Sequence, residues 1–455
     1  MNKFIHFLMI TVAICLPFDG NAASGKHKKK NHGAQNKKTT VVKDKGLPDT
    51  TMRVSLLEAR LSKLEGTTLK VTQKDLAEGK VPKPIASSAN PKSSIKLGGQ
   101  INRMVAHRDN GKRSQIEYLD STASSTRFNI TGTTNINPKL QVQGVIETEL
   151  TDGVQSFSSD ADIGSAPAGS SFSDASPILR NRRLEAVFKH DKFGTVYLGK
   201  GSTSSDGVSE VDFSGTTAVS NASEGGNNLG GFRFYNKTAR TSVGQRIASD
   251  AIRNMDGLQR ANRLRYDSPA LKGFVIGLTH TNEEQSDQSI KYAGSFGKTK
   301  VGAAIAHTFQ PRAVSGGQSR RRHTYHGSFA IYNAGFSFSA AYGMENYRLK
   351  NFLQLQKRKD AKFWFVKVGY QTKFIACGNT AMALDFTYNR ANTLAENNFL
   401  LANREKAKSY AFTVVQNFDV AATELYFVAR QYHFEQPYSS FKDAFVILVG
   451  TRVKF

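Results

Sequence analysis

Along residues 140–150 the chain alternates strictly: Leu140, Val142, Gly144, Ile146, Thr148 and Leu150 stand against Gln141, Gln143, Val145, Glu147 and Glu149. A period of two belongs to a strand with one apolar and one wet face. The pattern recurs at Phe336, Phe338, Ala340 and Tyr342 against Ser337, Ser339 and Ala341, and at Leu425, Phe427 and Ala429 against Tyr426, Val428 and Arg430. The chain ends on it, with Phe445, Ile447, Val449, Thr451, Val453 and Phe455 against Val446, Leu448, Gly450, Arg452 and Lys454. An open sheet ending on an aromatic strand exposes an edge that recruits other chains, whereas closure into a barrel removes the edge.

Turn signals divide the region after residue 94 into two kinds of connection. Tight turns are expected at 135–138, 191–194, 268–273, 297–298, 332–335, 375–379 and 417–420. Longer polar stretches fall at 109–125, 151–179, 201–257, 311–321, 347–360, 391–405 and 435–443, with a brief one at 283–288. These connections predict an all-β fold, a 16-stranded antiparallel transmembrane β-barrel with short links at one end and long links at the other, as bacterial outer-membrane barrels have. Strands of roughly 9 to 11 residues match the membrane thickness.

The N-terminal region follows another pattern. Residues 1–22 read as a secretory signal peptide: Lys3, an apolar run over 4–18, then small residues up to Ala22 and Ala23. Cleavage there leaves Cys377 as the one thiol, so no internal disulfide is expected. Residues 23–50 are Lys-rich and too polar to bury a core. Val54, Leu57, Leu61 and Leu64 then take a and d positions of a short helical coiled coil over 51–66, which is too short to hold unless something else gathers the chains. Residues 67–94 read as a linker, with Pro82, Pro84 and Pro91 among Ser and Lys.

Composition allows the barrel. Hydrophobic residues make up 39% and mean hydropathy is -0.41, values that a barrel with apolar residues at every second strand position can show. The net charge is +25; in an exported chain this points to anionic lipid, cell-wall polymer such as peptidoglycan or small anions as partners, and away from nucleic acid.

Gly194-Thr-Val-Tyr-Leu-Gly199-Lys200, the segment Asn262-Arg-Leu-Arg265-Tyr266-Asp267-Ser268-Pro269 followed by Gly273-Phe274, and the terminal Phe455 resemble the Gram-negative general porins over about residues 95–455. The resemblance implies a homotrimer of sixteen-stranded barrels in the outer membrane, with the third external loop, here 201–257, folded inward as a constriction. It implies an acidic loop side at Asp206, Glu210 and Asp212, a basic wall at Arg127, Arg183, Arg260 and Lys200, and Phe455 as the signal read by the outer-membrane assembly machinery. Strand parity independently points Arg127 inward, since Phe128 and Ile130 suit lipid, and points Arg263 and Arg265 inward, since Leu264 and Tyr266 do.

Catalytic and cofactor chemistry finds little support. The 194–201 stretch approaches a phosphate-binding loop but has Gly201 where Ser or Thr must follow Lys200. Glu147 and Glu149 are expected as lumen-facing acids, and His323 and His326 as loop histidines without a third metal ligand. No enzyme activity and no cofactor are expected. Passive diffusion of small hydrophilic solutes through a water-filled channel is the reading, with a substrate-specific channel, or a structural link to the cell wall through the N-terminal segment, as alternatives. From Ser94 onward there are 45 basic against 30 acidic residues, which predicts a weak anion preference, opposed by the acidic loop.

Overall fold

The computed structural model of the chain describes residues 93–121, 123–151, 178–222, 231–242, 244–315, 318–349, 360–390 and 405–455. The expected signal peptide, Lys-rich segment, coiled coil with Val54, Leu57, Leu61 and Leu64, and the linker up to residue 92 lie outside the described residues. The last two linker positions already belong to the first strand.

One antiparallel sheet contains all the strand segments. In chain order they are β1 (Ser93–Asp109), β2 (Ser114–Asp120), β3 (Arg127–Asn137), β4 (Leu140–Thr151), β5 (Ile178–His190), β6 (Gly194–Ser202), β7 (Arg260–Asp267), β8 (Phe274–Thr281), β9 (Ser286–Phe296), β10 (Thr299–Ser315), β11 (Gln318–Asn333), β12 (Phe336–Leu349), β13 (Ala361–Ile375), β14 (Gly378–Arg390), β15 (Lys406–Phe418), β16 (Thr423–Glu435) and β17 (Ala444–Lys454). β1 pairs with β17 from Gln100↔Lys454 to Asp109↔Phe445, which closes the sheet. On its other side β1 pairs with β3 in its first half and with β2 in its second. β2 and β3 therefore share one position, and the barrel has sixteen.

The expected loop at 109–125 thus contains a strand. Ile116 and Tyr118 alternate with Glu117 and Leu119 there, and the two apolar outward residues are 63% and 71% exposed. Between β2 and β3 the backbone leaves the sheet. Its carbonyls at Ser124 and Ser125 are taken up by the Gln100 side-chain amide at 2.9 and 2.8 Å, and Asn102 donates to Ser124 at 2.8 Å. A second difference falls at 311–321, where β10 and β11 run on through most of the expected loop. The register shifts between Gln310 and Ala313, where Pro311 has no amide to give the ladder.

The seven tight turns lie where the residue pattern puts them, all joining strands at one rim. Phe455 belongs to that rim: its amide and carbonyl bond Gly99 at 3.0 and 2.8 Å, and Lys454 donates to Ala422 in the β15–β16 turn. Gly99 has to be glycine, because a Cβ there would lie 2.6 Å from the Phe455 ring and 2.9 Å from the Arg127 carbonyl.

The two faces separate cleanly. Leu264, Ile276, Ile290, Ile305, Phe338, Val368 and Leu384 are exposed on the outside, and aromatic pairs flank this apolar band on the same face. Trp364 contacts Tyr342 on one side and Tyr388 on the other toward the long-loop end, and Phe274–Tyr292 and Phe336–Tyr370 pair toward the short-turn end. Such a band between aromatic girdles is how a barrel meets the bilayer. No helix among the described residues is long and apolar enough to cross a membrane.

Candidate functional site

The connection from β6 to β7 enters the barrel and packs along its inner wall. Its first half, 203–220, is rich in Ser, Thr and Gly, whose small side chains let backbone approach backbone. It meets the wall strand by strand. Ser204 and Ser205 donate to Asp287 of β9 at 2.6 and 2.5 Å, Ser209 bonds the ring of His326 of β11 at 2.9 Å, and the Val211 amide donates to Ser328 at 3.0 Å. Further on, Lys367 of β13 reaches Asp212 at 2.8 Å and the Ser220 carbonyl at 2.5 Å, and Ser220 donates to Asp385 of β14 at 2.7 Å. Arg430 of β16, fully buried, holds Asp385 from behind at 2.8 Å.

The second half of the loop is held by apolar packing. Phe232, Phe234, Ala248, Ala251 and Ile252 form one buried cluster with Met104, Ala106, Leu119, Tyr432, Phe434, Val446 and Leu448. Phe232 meets Tyr432 edge-on at 5.1 Å, and Phe234 stacks on Phe434 at 4.9 Å. Residues 232–235 thus belong to the loop and pair locally through bridges of Arg233 to Ile247 and Asn236 to Thr241. Each buried Phe contributes up to about 3 kcal/mol, so this half of the lumen is sealed by a hydrophobic contact.

The facing wall, β3 to β7, carries the charge. Arg127, Arg182, Arg183, Arg260, Arg263 and Arg265 line one cavity of about 330 Å³ together with Glu147, Glu185, Tyr197 and Ser202. Most of these guanidiniums are braced. Arg182 bonds Glu147 and Glu149 at 2.7 and 2.8 Å, Arg183 and Arg263 share Glu185 at 2.6 and 2.5 Å, and Arg265 pairs with Asp267 at 2.6 Å. Arg263 and Arg265 also stack over Tyr197 at 5.5 and 5.0 Å. Arg260 stands 3.9 Å from Asp206, and Arg127 makes no ion pair within 4 Å among the described residues.

The expected residues separate into those this cavity gathers and those it does not. Arg127, Arg183, Arg260, Arg263 and Arg265 share it. Lys200 does not. It pairs with Leu184 and Asn262 and shares the outward parity of Val196 and Leu198, so it stands on the outer face of β6. Of the acids, Asp206 approaches the arginines, Glu210 accepts from Asn254 at 2.7 Å, and Asp212 turns to the wall behind the loop. There Asp212 is neutralised by Lys367, both side chains being nearly inaccessible, so it contributes little field to the cavity. His326, expected in a loop, lies on β11 with its ring buried against Ser209. His323 also lies on β11, beside His307 on the outer face.

Arg182 was missed by sequence reasoning, and a β-bulge explains it. Glu147 faces Arg183 and Thr148 faces Asn181, which leaves Arg182 unpaired as the extra residue. A bulge puts two consecutive side chains on one side, and both arginines enter the lumen. A signal was present: Leu179 and Leu184 are both outward, at 65% and 53% exposed, yet five positions apart, which an unbroken period of two forbids. Asp256 was missed as well. It is buried and accepts the amides of Gly207 and Ser209 at 2.7 and 2.9 Å, holding the loop's first bend. Burial, with Glu210 and Asp206 nearby, raises its carboxyl well above the ordinary value.

Against known proteins, a family model described as Gram-negative porin matches residues 84–436. Among solved structures, the chain is similar to an anion-selective porin from Comamonas acidovorans, with 18% identity and a TM-score of 0.53 over 80% of this chain and 100% of that one. It is similar to the outer membrane channel DcaP of Acinetobacter baumannii, with 12% identity and a TM-score of 0.51 over 81% and 99%. OmpT, an outer membrane protein of Vibrio cholerae, gives 14% identity and a TM-score of 0.51 over 82% and 100%. No curated protein matches in sequence.

Proposed function

The chain belongs to the Gram-negative porin family and is an outer-membrane channel, and from that premise we propose that it passes small hydrophilic solutes by passive diffusion with a preference for anions. The observation that carries the preference is the composition of the open cavity. Six arginines line it, whereas the loop acid Asp212 is neutralised by Lys367 behind the loop and Asp206 stands against Arg260. Permeant ions in a narrow gap respond to local charge rather than to the total. The carboxylates between the arginines fix their positions and weaken their field, so the preference is modest. Similarity to the Comamonas acidovorans porin carries the fold; the preference rests on this chain's own side chains.

Cavity and loop charges face each other across the gap, Arg260 against Asp206, and give a transverse field that orients polar solutes on passage. We include in the proposal the homotrimer that the family resemblance implies.

Purified protein in planar bilayers should give stepwise conductance increments, and a salt gradient should give a reversal potential of anionic sign. Silence in the bilayer would remove the channel reading, and clear cation selectivity would remove the role given to the arginines. Native-mass measurement in detergent tests the trimer, which a monomeric mass refutes.

A further inference from the structure

On the outer face of β10 and β11, toward the long-loop end, two imidazoles meet. His307 lies opposite Tyr325 and His323 opposite Phe309, so the two histidines are diagonal neighbours on one face. Their rings are nearly parallel, 18° apart with centroids at 5.4 Å, and His307 Nε2 stands 3.2 Å from His323 Nδ1. One proton between these atoms makes the contact a hydrogen bond. Two nitrogens bound to one Zn²⁺ at the usual tetrahedral distances are about 3.3 Å apart, so the same pair of atoms is already spaced to share a metal ion.

The neighbours hold the pair in that arrangement. The ring of Tyr325 stacks on His307 at 4.7 Å, and that of Phe309 leans on His323 at 4.9 Å. On β9, Gln288 is directly opposite His307 and its amide reaches Nδ1 at 3.3 Å. A side-chain amide offers a donor or an acceptor by turning over, so Gln288 can accept from a protonated Nδ1 and leave the Nε2 lone pair to the metal. A partner of this kind on the second ring nitrogen is what ligating histidines ordinarily have.

The pair is within reach of the external medium. Gly327 is opposite Tyr342 of the aromatic girdle, and Tyr325 with His307 stands one outward step above it, His323 a further step. Each step of two residues is about 7 Å, which lifts the imidazoles out of the hydrocarbon layer. No group of three or more histidine, cysteine or carboxylate side chains placed to hold a metal occurs among the described residues, so water completes the coordination.

We infer that His307 and His323 bind one divalent transition-metal ion of the zinc class on the outside of the barrel. Two imidazoles select such an ion over Mg²⁺ and Ca²⁺, which prefer oxygen. The ion has a structural effect. The β10–β11 ladder shifts register between Gln310 and Ala313, and a metal shared across the strands clamps them just below that break, steadying the hairpin above it.

The full-length protein in detergent, without an affinity tag, is titrated with Cu²⁺, which binds imidazole more tightly than Zn²⁺ does, and nitrogen coordination is read by electron paramagnetic resonance. A site with two nitrogen ligands should appear, displaced by Zn²⁺ and unaffected by Mg²⁺. Gln288→Leu should weaken it roughly tenfold with both nitrogens retained. His307→Gln and His323→Gln should each weaken it further and leave one nitrogen. His433→Gln, whose imidazole lies between Glu435 and Asp443, should bind as the parent does. Absence of a two-nitrogen site in the parent, or its survival in both His307→Gln and His323→Gln, overturns the proposal. Unchanged unit conductance shows that a variant's barrel is intact. If the histidine variants do not assemble, carbethoxylation of the unaltered protein decides: Zn²⁺ should shield His307 and His323 from diethyl pyrocarbonate and leave His433 reactive, and undiminished modification of the pair overturns the site.

Discussion

Replacing Asp212 tests whether the inward loop is pinned by a buried charge pair. Lys367 is 1% exposed, and its ammonium has two partners, Asp212 at 2.8 Å and the Ser220 carbonyl at 2.5 Å. Asp212→Ala leaves a buried cation with one neutral acceptor, and removing one partner of a buried pair costs about 3 to 5 kcal/mol. The sheet is held by ladders on both sides of every strand, so the loop is the element that yields, by opening locally. At about 1.4 kcal/mol per tenfold, amide exchange in 203–220 should accelerate by roughly two to three powers of ten, read by hydrogen-exchange mass spectrometry in detergent. Asp212→Asn keeps an acceptor for the Ser214 amide, now 2.6 Å from the carboxylate, and so isolates the loss of charge. Pairing Asp212→Ala with Lys367→Met removes the stranded cation and should recover most of the protection. Protection within about threefold of the parent in Asp212→Ala, or a double variant no better than the single, would refute the reasoning.

Three further outcomes follow from the same geometry. Arg182→Gln should move the reversal potential toward cations, whereas Lys200→Gln, on the outer face, should leave it unchanged; equal effects would contradict the assignment of faces. Deleting Phe455 should lower the amount of protein inserted without altering unit conductance, since the residue bonds Gly99 at the rim and touches no part of the cavity; normal insertion contradicts its role in assembly. Asp256 has a folded pKa raised above the ordinary 3.8, chiefly by burial. Its contribution to loop stability is then complete below that ordinary value and is lost as pH rises through the raised one. Protection of 205–210, corrected for intrinsic exchange rates, should fall over that interval, and Asp256→Asn should flatten the dependence; a parent protein without such a fall overturns it.

Much of the barrel was legible because its signals are local. Alternation marks faces, and Pro138, Gly194, Pro269, Gly273, Gly297 and Gly335 mark turns within a few residues of where the chain reverses. β2 escaped because Ser114–Asp120 is short and framed by polar residues that read as one long loop. The site was legible only in part. Parity alone places Arg127, Arg263 and Arg265 in the lumen, and parity alone would have kept Lys200 outside with Val196 and Leu198, where the resemblance to a family pattern put it on the wall. Arg182 needed the odd spacing of Leu179 and Leu184 to be taken seriously. The Asp212–Lys367 pair joins residues 155 positions apart, and no local pattern encodes which wall lysine an inward loop will find.

The greasy patch inside the barrel bears on how the molecule is made. A barrel with a wet interior can close around water and let its loops settle afterwards. Here Met104 and Ala106 of the first strand and Val446 and Leu448 of the last carry apolar side chains into the lumen, under Phe232, Phe234 and Ile252. These two strands are the seam. Zipping the seam with the loop elsewhere would line the new channel with a water-repelling stripe, and seating the loop first would leave its phenyl rings waiting for a wall not yet assembled. Joining the first strand to the last and docking the loop therefore bury the same apolar surface, so the seam that closes the barrel also holds the loop that narrows the channel.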